Sequence, residues 1–373
     1  MDDEDVHFAD EAPRRERVGA AFVALRAELE HLLPGAEIEH IGSTSIPGSI
    51  TKGDLDICVR VEPAAFTAAE RALATRFERN VGSDHTGSLA SFVDPTAAIP
   101  TGVQLVARGG REDFFSTWRD LLASSTRRLA AYNALKRRWH SRSHTGYRAE
   151  KAVFIERELA GARAIDAWQR IPADDYERHM SEVGQSAALR ALFTQTYAER
   201  RPRRLAVLGC TTGGDLELVE PFTDVVVGVD INPEYLAAAR RRLSAKVELT
   251  HGDVLDVELA KAPFDLIHAA LLLEYVDPVA LFHRIGGWLA PGGACSIVTQ
   301  EVTPDVPPVT PTAYATVRLL DGCMSLRSED EIVRAAAGAG LCPAARRTAR
   351  LQSGKVLLHA VFTKSPAPAA GGP

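Results

Sequence analysis

The chain has 373 residues, of which 46% are hydrophobic and 25% charged, with a formal net charge of −6. Because this length exceeds the size at which one hydrophobic core usually keeps growing, we predict two globular domains. The acidic balance argues against a protein devoted to nucleic acid. No apolar run reaches the length of a membrane span, and the acidic start at residues 1–5 is unlike a signal peptide. We therefore expect a cytoplasmic protein without a membrane partner.

The first part of the chain predicts an α+β domain. Apolar residues recur at helical spacing from Arg15 to Leu33 and end at Pro34, which indicates an amphipathic helix. Helices are also expected between Arg111 and Gly161. Short apolar runs bounded by Gly, Pro and Ser predict four strands, at Glu37–Ile41, Leu55–Val61, Ala90–Val93 and Gly102–Ala107.

Two motifs in this first domain suggest phosphate chemistry. Asp54 and Asp56 lie two residues apart on a predicted strand, so both carboxylates project from the same face. Paired carboxylates can hold Mg²⁺ together with substrate phosphates. The turn at Gly42 and Ser43 can present backbone amides to the same phosphates.

A Gly-Ser turn followed by Asp-x-Asp resembles the polymerase-β-like nucleotidyltransferase superfamily. With His40–Gly48, Trp118-Arg119-Asp120, Tyr132, Lys136, Tyr147 and Lys151, the pattern resembles the GrpB family over residues 15–162. The resemblance implies a nucleotidyltransferase-like domain over residues 1–163, in which Gly42, Ser43 and Lys151 bind nucleotide, Asp54 and Asp56 hold the metal, and Lys136 can also face phosphates.

The family's third carboxylate is in doubt. Gln104 lies on the later strand at the position where full nucleotidyltransferases carry an acid. Asp94 is the acid that could replace it if the strand geometry allows. Active nucleotidyl transfer, binding without transfer and a purely structural role all stay open.

The pattern changes at a boundary that we place near residues 164–175. Beyond it, apolar strands alternate with helical segments, which is typical of a parallel sheet built from βαβ units. We predict an α/β Rossmann-like domain over residues 164–364 and a disordered Pro-, Ala- and Gly-rich tail over residues 365–373. Its predicted strands are Leu205–Leu208, Val225–Val229, Val247–Leu249, Phe264–His268 and Ala294–Thr299.

Three features of this second domain indicate a nucleoside-binding site. The first strand runs into a glycine-rich turn at Gly209–Gly214, after which we expect a helix near Asp215. The second strand ends in Asp230, 21 residues after Gly209, where Rossmann-type sites place the acid that binds ribose hydroxyls. The third strand leads into Gly252-Asp253.

These features, with Phe264-Asp265 and the Leu-x-Pro-Gly-Gly run at Leu289, resemble the class I methyltransferases over roughly 190 residues. The resemblance implies S-adenosylmethionine as cofactor, with Asp230 on the ribose and Asp253 on the adenine. It implies further cofactor contacts from Gly209, Cys210, Thr211, Gly213, Ile231 and Val254, and from Tyr176 in a lid segment that also contains Met180. Val207 and Thr211 depart from the family, which usually carries an acid and a glycine at these positions.

Methyl transfer requires few catalytic side chains, because the protein mainly positions donor and acceptor and removes a proton where needed. His268 and Glu274 are candidate bases, although His268 can equally be a hydrogen-bonded core residue. The proline-rich stretch from Val302 to Arg327 is expected to form part of the acceptor pocket.

We therefore predict an S-adenosylmethionine-dependent methyltransferase that acts on a small or nucleotide-like acceptor. Two alternatives remain: a Mg²⁺-dependent nucleotidyltransferase with an accessory methyltransferase fold, or a ligand sensor without turnover. The departures at Val207, Thr211 and Gln104 favour the sensor.

Overall fold

The computed structural model describes residues 5–9 and 12–366. The chain divides into two compact units, Met1–Leu159 and Ala160–Pro373. The predicted domain boundary at residues 163/164 stays a prediction. Most of the predicted tail and the acidic residues 1–4 lie outside the described residues. Among the helices of the described ranges, none combines the length and apolar character that crossing a membrane requires.

The first unit is built around a five-stranded mixed sheet with strand order β2-β3-β6-β5-β4. In this sheet β3 and β6 are parallel and the other neighbours antiparallel. The elements in chain order are β1 (Asp5–Val6), α1 (Ala12–Leu32), β2 (Glu37–Ile41), β3 (Leu55–Val61), α2 (Phe66–Leu73), β4 (Glu78–Arg79), β5 (Leu89–Val93), β6 (Thr101–Ala107), α3 (Phe115–Ser124), α4 (Thr126–Trp139), β7 (Arg142–Ser143) and α5 (His144–Gln169), which continues beyond the unit. The predicted opening helix and four strands are confirmed.

The core of the first unit lies where α1 covers the sheet. Ile57 and Val59 of β3 and Val103 of β6 are fully buried, and Val18 and Leu29 of α1 pack into the same cluster. Burial of these large aliphatic side chains on the two central parallel strands stabilises the end of β2 and the start of β3, where both sequence motifs lie.

The second unit contains a seven-stranded sheet with strand order β10-β9-β8-β11-β12-β14-β13. Its elements in chain order are α6 (Ala173–Glu182), α7 (Gln185–Arg200), β8 (Arg204–Leu208), β9 (Val225–Asp230), α8 (Pro233–Arg242), β10 (Val247–His251), β11 (Phe264–Ala270), α9 (Pro278–Trp288), β12 (Leu289–Gln300), α10 (Glu329–Gly338), β13 (Leu341–Arg350) and β14 (Val356–Lys364). The five predicted strands are confirmed and are mutually parallel. The Rossmann-like class of this domain is confirmed with them.

Strand β8 occupies the switch point of this sheet. It pairs with β9 on one side and β11 on the other, so the strand order reverses there. In open α/β sheets the crevice beyond the carboxyl ends of the strands at such a point is where ligands bind. The glycine-rich turn follows β8 directly.

Two parts of the second unit differ from the prediction. The prediction of a helix near Asp215 is wrong, because Leu216–Leu218 forms only a single 3₁₀ turn. Pro221, three residues after this turn, disfavours a helical conformation at Glu220, so the segment does not continue as a helix. The hairpin of β13 and β14 was not predicted, and β14 is inserted antiparallel between β12 and β13.

Candidate active site

The glycine-rich turn is fixed at the carboxyl edge of the sheet by backbone contacts. The Gly209 and Cys210 N–H groups donate to the Val229 carbonyl at 2.8 and 2.9 Å. Gly213 has φ +88°, and a Cβ there would lie 2.9 Å from Leu243 Cδ1. Only glycine satisfies both the conformation and the close approach to the end of α8.

Thr211, at the middle of this turn, adopts the left-handed conformation with φ 47°. A β-branched residue in this region is strained by about 1 to 3 kcal/mol, and such strain clusters at functional sites. The Thr211 N–H donates to Asp230 Oδ2 at 2.8 Å, which helps to hold the strained residue in place. The departure from glycine is therefore accommodated by the acid at the end of β9.

Asp230 and Asp253 lie at the carboxyl ends of adjacent parallel strands, since Asp230 pairs with His251 at the end of β10. Asp230 is 6% exposed and its Oδ1 accepts from the Asn232 N–H at 2.8 Å. Burial raises the pKa of Asp230 to about 6, although three backbone N–H bonds act in the opposite direction. Asp253 is half-buried, and its Oδ1 accepts from the Leu255 N–H at 2.8 Å. The predicted roles of both acids stay predictions.

An aromatic cluster near the turn was only partly anticipated. Burial raises the pKa of Tyr176, the predicted lid residue, and Thr211 of the turn acts in the opposite direction. The Tyr176 ring lies 5.7 Å from Trp168 and 5.4 Å from Tyr235, and Trp168 lies 5.3 Å from Tyr275. We call Trp168, Tyr176, Tyr235 and Tyr275 the aromatic wall. Trp168 and Tyr235 were missed, since each lies in a helical segment where an aromatic residue reads as ordinary core.

The remaining predicted cofactor residues differ in what they present to the crevice. Cys210 is buried, and a Cβ at Gly228 would lie 2.9 Å from its Sγ, so the side chain points into the sheet. Val254 is buried in the core as well. Ile231 is half-buried, and its carbonyl lies 3.1 Å from His251 Nε2. For Cys210 the backbone is the part that can reach a ligand.

His268 lies inside the sheet rather than at its edge. It sits within β11 and is fully buried, with Nδ1 3.0 Å from Ser296 Oγ, which in turn lies 2.9 Å from His359 Nε2. Burial, and then the neighbouring His359, lower the pKa of His268 to about 3. His268 Nε2 has no hydrogen-bond partner among the described residues and lies 3.8 Å from Asp215 Oδ2, so the predicted catalytic role of His268 stays a prediction.

Glu274, the other candidate base, lies in the loop that follows β11 and is 1% exposed. Its Oε1 accepts from Thr299 Oγ1 at 2.9 Å and from the Gln300 N–H at 2.7 Å. Its Oε2 is buried and has no hydrogen-bond partner among the described residues. The pKa of Glu274 is raised because burial outweighs the opposite effects of the two hydrogen bonds and Lys355. Unlike His268, this carboxylate lies at the carboxyl edge of the sheet.

The motif residues of the first unit also come together. Gly42 has φ +76°, and a Cβ there would lie 2.2 Å from Asp56 Oδ2, so this glycine is required for the turn to contact the acid. Burial, and then Asp54, raise the pKa of Asp56 to about 6. Lys52 Nζ lies 3.1 Å from Asp54 Oδ2.

Two further lysines belong to this cluster. Lys136 is fully buried, and its Nζ contacts Ser43 Oγ at 2.5 Å, Ser49 Oγ at 2.9 Å and the Ile50 carbonyl at 2.6 Å. Burial, and then Lys151, lower the pKa of Lys136 to about 6. Interactions with Tyr132 and the two carboxylates raise the pKa of Lys151.

The two residues considered for the third-carboxylate position contact other side chains, and the metal role of Asp54 and Asp56 stays a prediction. Gln104, at the third-carboxylate position, accepts from Ser91 Oγ at 2.5 Å, and Asp94 accepts from Arg76 at 2.8 Å. Within the described ranges no group of three His, Cys, Asp or Glu residues is arranged to hold a metal ion. Lys52 Nζ pairs with Asp54 Oδ2, so an ammonium group lies against one of the two carboxylates.

Comparison with known proteins assigns both units. The GrpB protein profile matches residues 12–160, and a UPF0157 protein of Vibrio cholerae is 38% identical over 136 residues, which are 36% of this chain and 72% of that protein. The chain belongs to the GrpB family. The predicted resemblance of the first domain to GrpB proteins is thereby confirmed.

In this GrpB family member, residues 206–293 match a methyltransferase domain. Ajmaline N-methyltransferase of Rauvolfia serpentina is 29% identical over 116 residues, covering 30% of this chain and 40% of that enzyme. Trans-aconitate 2-methyltransferase of Methylobacterium radiotolerans is 35% identical over 99 residues, covering 26% and 37%. The predicted methyltransferase domain is confirmed.

Among solved structures, the N-methyltransferase NodS of Bradyrhizobium japonicum in complex with S-adenosylhomocysteine aligns with a TM-score of 0.39 and 20% identity. The alignment covers 48% of this chain and 87% of that one. The chain spans 72% of the UPF0157 protein but less than half of ajmaline N-methyltransferase and of trans-aconitate 2-methyltransferase.

Proposed function

We propose that this protein transfers a methyl group from S-adenosylmethionine to a small acceptor in its second unit. The observation that carries the proposal is the arrangement at the switch point: a backbone turn at Gly209–Gly213, bonded to Asp230, with Asp253 on the adjacent strand. Such an edge presents backbone and carboxylate groups to a nucleoside in the crevice. The cofactor would supply an activated methyl group on a sulfonium.

The chain's own residues would bind the cofactor and orient it. Asp230 would accept hydrogen bonds from the ribose hydroxyls, because its carboxylate already lies at the turn. Asp253 would accept a hydrogen bond from the adenine amine. The backbone of Gly209, Cys210, Thr211 and Gly213, with Ile231 and Val254 beside the two acids, would complete the cofactor contacts. Tyr176, within the aromatic wall, would limit the access of water.

Calorimetric titration with S-adenosylmethionine tests this proposal. We expect binding by the wild-type protein and a loss of at least about tenfold in affinity for Asp230→Ala, since a charge-assisted hydrogen bond is removed. Asp224→Ala is the matched control, because Asp224 lies just before the same strand at its amino end, paired with Arg203. Absence of binding at millimolar concentration, or equal loss in both variants, contradicts the proposal.

For the first unit we propose a nucleotidyltransferase-like domain that binds a phosphate-bearing ligand, such as a nucleotide, without a divalent cation. The supporting observation is that the ammonium groups of Lys52 and Lys151 interact with Asp54 and Asp56, while Lys136 Nζ contacts Ser43 Oγ at the same turn. Ammonium groups and the backbone amides of such a turn are groups that can bind a phosphate.

Binding of ATP, measured with Mg²⁺ and separately with a chelator, tests this second proposal. We expect equal affinity in both conditions and a loss of binding in Lys151→Gln. Binding that requires Mg²⁺, together with release of pyrophosphate that Asp54→Asn and Asp56→Asn abolish, would instead establish the Mg²⁺-dependent nucleotidyltransferase.

A further inference from the structure

A second polar cluster lies beside the proposed cofactor site, at the carboxyl ends of β11 and β12. Glu274 and Gln300 are each 1% exposed, and Lys355, just before β14, is 3% exposed. His179 of α6 is 5% exposed, and Lys355 contributes to lowering its pKa, after burial. We call these four residues the Glu274 cluster.

Two oxygen atoms of this cluster lack partners. Glu274 Oε2 and Gln300 Oε1 are buried, and neither has a hydrogen-bond partner among the described residues. Leaving a buried acceptor unsatisfied typically costs about 1 to 3 kcal/mol, and more for a charged group. Buried polar atoms without partners are uncommon in folded proteins, and two on neighbouring side chains suggest a ligand that donates hydrogen bonds.

The cluster is adjacent to the turn that would hold the methyl donor. A Cβ at Gly209 would lie 3.7 Å from Leu272 Cδ1, and the Tyr275 N–H donates to the Leu272 carbonyl at 3.0 Å. Glu274 thus belongs to a tight turn that lies against the glycine-rich turn. Tyr275 also contacts Trp168 of the aromatic wall, so the wall and the Glu274 cluster are continuous.

We propose that the methyl acceptor of this domain is an amine, held through N–H groups by Glu274 Oε2 and Gln300 Oε1. This rests on the proposed methyl transfer in the same site. The acceptor nitrogen, as the free amine, forms the C–N bond with its lone pair while the C–S bond breaks and its electron pair stays on sulfur. The positive charge passes from sulfur to nitrogen, where the Glu274 carboxylate stabilises it, and the product leaves as a methylated ammonium.

The same cluster disfavours a carboxylate acceptor. A second carboxylate beside Glu274 would meet like charge in a buried site. Lys355 is the cation in the cluster, and its Nζ already donates to the Pro308 carbonyl at 2.6 Å. Burial lowers the pKa of Lys355 to about 8, which reduces its capacity to hold an anion above that pH. The relatives named above include both an N-methyltransferase and a methyltransferase named for trans-aconitate, which is a carboxylate.

Binding to the protein loaded with S-adenosylhomocysteine tests the acceptor class separately from catalysis. Calorimetry would compare benzylamine, benzyl alcohol and benzoate, and hexylamine, hexanol and hexanoate, since each set shares one carbon skeleton. We expect the amines to bind at least tenfold more tightly than the matched carboxylates. Glu274→Gln should lower amine affinity about tenfold to a hundredfold, because the charge is lost while an Oε1 acceptor remains for Thr299 and Gln300.

Two controls separate the possible failures. Affinity for S-adenosylhomocysteine should be the same in Glu274→Gln as in the wild type. If the wild type does not bind S-adenosylhomocysteine at all, the methyltransferase proposal fails rather than the amine proposal. Glu258→Gln removes an exposed carboxylate paired with Arg284 and should leave amine binding unchanged. Tighter binding of carboxylates, no amine binding at millimolar concentration, or amine affinity that survives Glu274→Gln overturns the amine proposal.

Discussion

At the scale of single residues, Asp230 determines how cofactor binding should depend on pH. The folded protein holds this carboxyl protonated below about pH 6, because burial has raised its pKa to about 6. The ionised form is the better acceptor for ribose hydroxyls, so affinity should be full above this pH and fall about tenfold per pH unit below it. Calorimetry with S-adenosylhomocysteine between pH 5 and pH 8 measures this.

Asp230→Asn should bind weakly with little pH dependence. Burial also raises the pKa of Asp215 to about 6, and Asp215 contributes to raising the pKa of Tyr176, so Asp215→Asn is needed as a second variant. A pH dependence that persists in Asp230→Asn and disappears in Asp215→Asn would assign the titration to Asp215 instead.

Gly213 gives a second prediction at this scale. Gly213→Ala should lower the free energy of unfolding by about 1 to 3 kcal/mol, because φ is +88° and the new Cβ would approach Leu243 Cδ1 at 2.9 Å. Gly338→Ala is the control, since it ends α10 with nothing within 4 Å of the added Cβ. Denaturant unfolding should show no loss for Gly338→Ala, and equal losses would contradict the argument.

At the scale of elements, Asn232 joins the start of α8 to the end of α5. Its Oδ1 accepts from the Glu234 N–H at 2.8 Å as the cap of α8, and its Nδ2 donates to the Trp168 carbonyl at 2.9 Å. The residue is fully buried. The wall residue Trp168 and the α8 residue Tyr235 are therefore positioned by one side chain.

We expect Asn232→Ala to cost about 2 kcal/mol of unfolding free energy, because both the cap and a buried hydrogen bond are lost. Asn232→Ser retains a capping oxygen but cannot reach Trp168, and should cost roughly half as much. If the two variants unfold alike, the bond to Trp168 contributes nothing measurable.

At the scale of the whole molecule, each proposed site is built within one unit. The hydrogen-bond partners of Lys136 named above lie in the first unit, and those of Asp230 lie in the second. Lys136→Met should therefore lower the thermal stability of the protein, because it leaves Ser43, Ser49 and the Ile50 carbonyl without their donor. It should leave the affinity for S-adenosylhomocysteine unchanged, and a change in that affinity would indicate coupling between the units.

The local pattern of the chain was sufficient for most elements and for the position of the main motifs. Strands such as Glu37–Ile41 and Leu55–Val61 follow from apolar runs between turn residues, and these signals are local. Asp230 could be placed because the acid at a strand end has a characteristic spacing from the glycine-rich turn. Both domain families were also recognisable from such motifs.

The tertiary structure decided what depends on residues distant in sequence. Insertion of β14 between β12 and β13 requires non-local pairing that no periodicity encodes. His268 lies within β11 and Glu274 follows it, yet only the assembled sheet buries the imidazole inside and places Glu274 Oε2, which has no hydrogen-bond partner among the described residues, at the edge. Lys136 and Lys151 likewise interact with Asp56 only once the first unit has folded, because residues so far apart in sequence are brought together only in space.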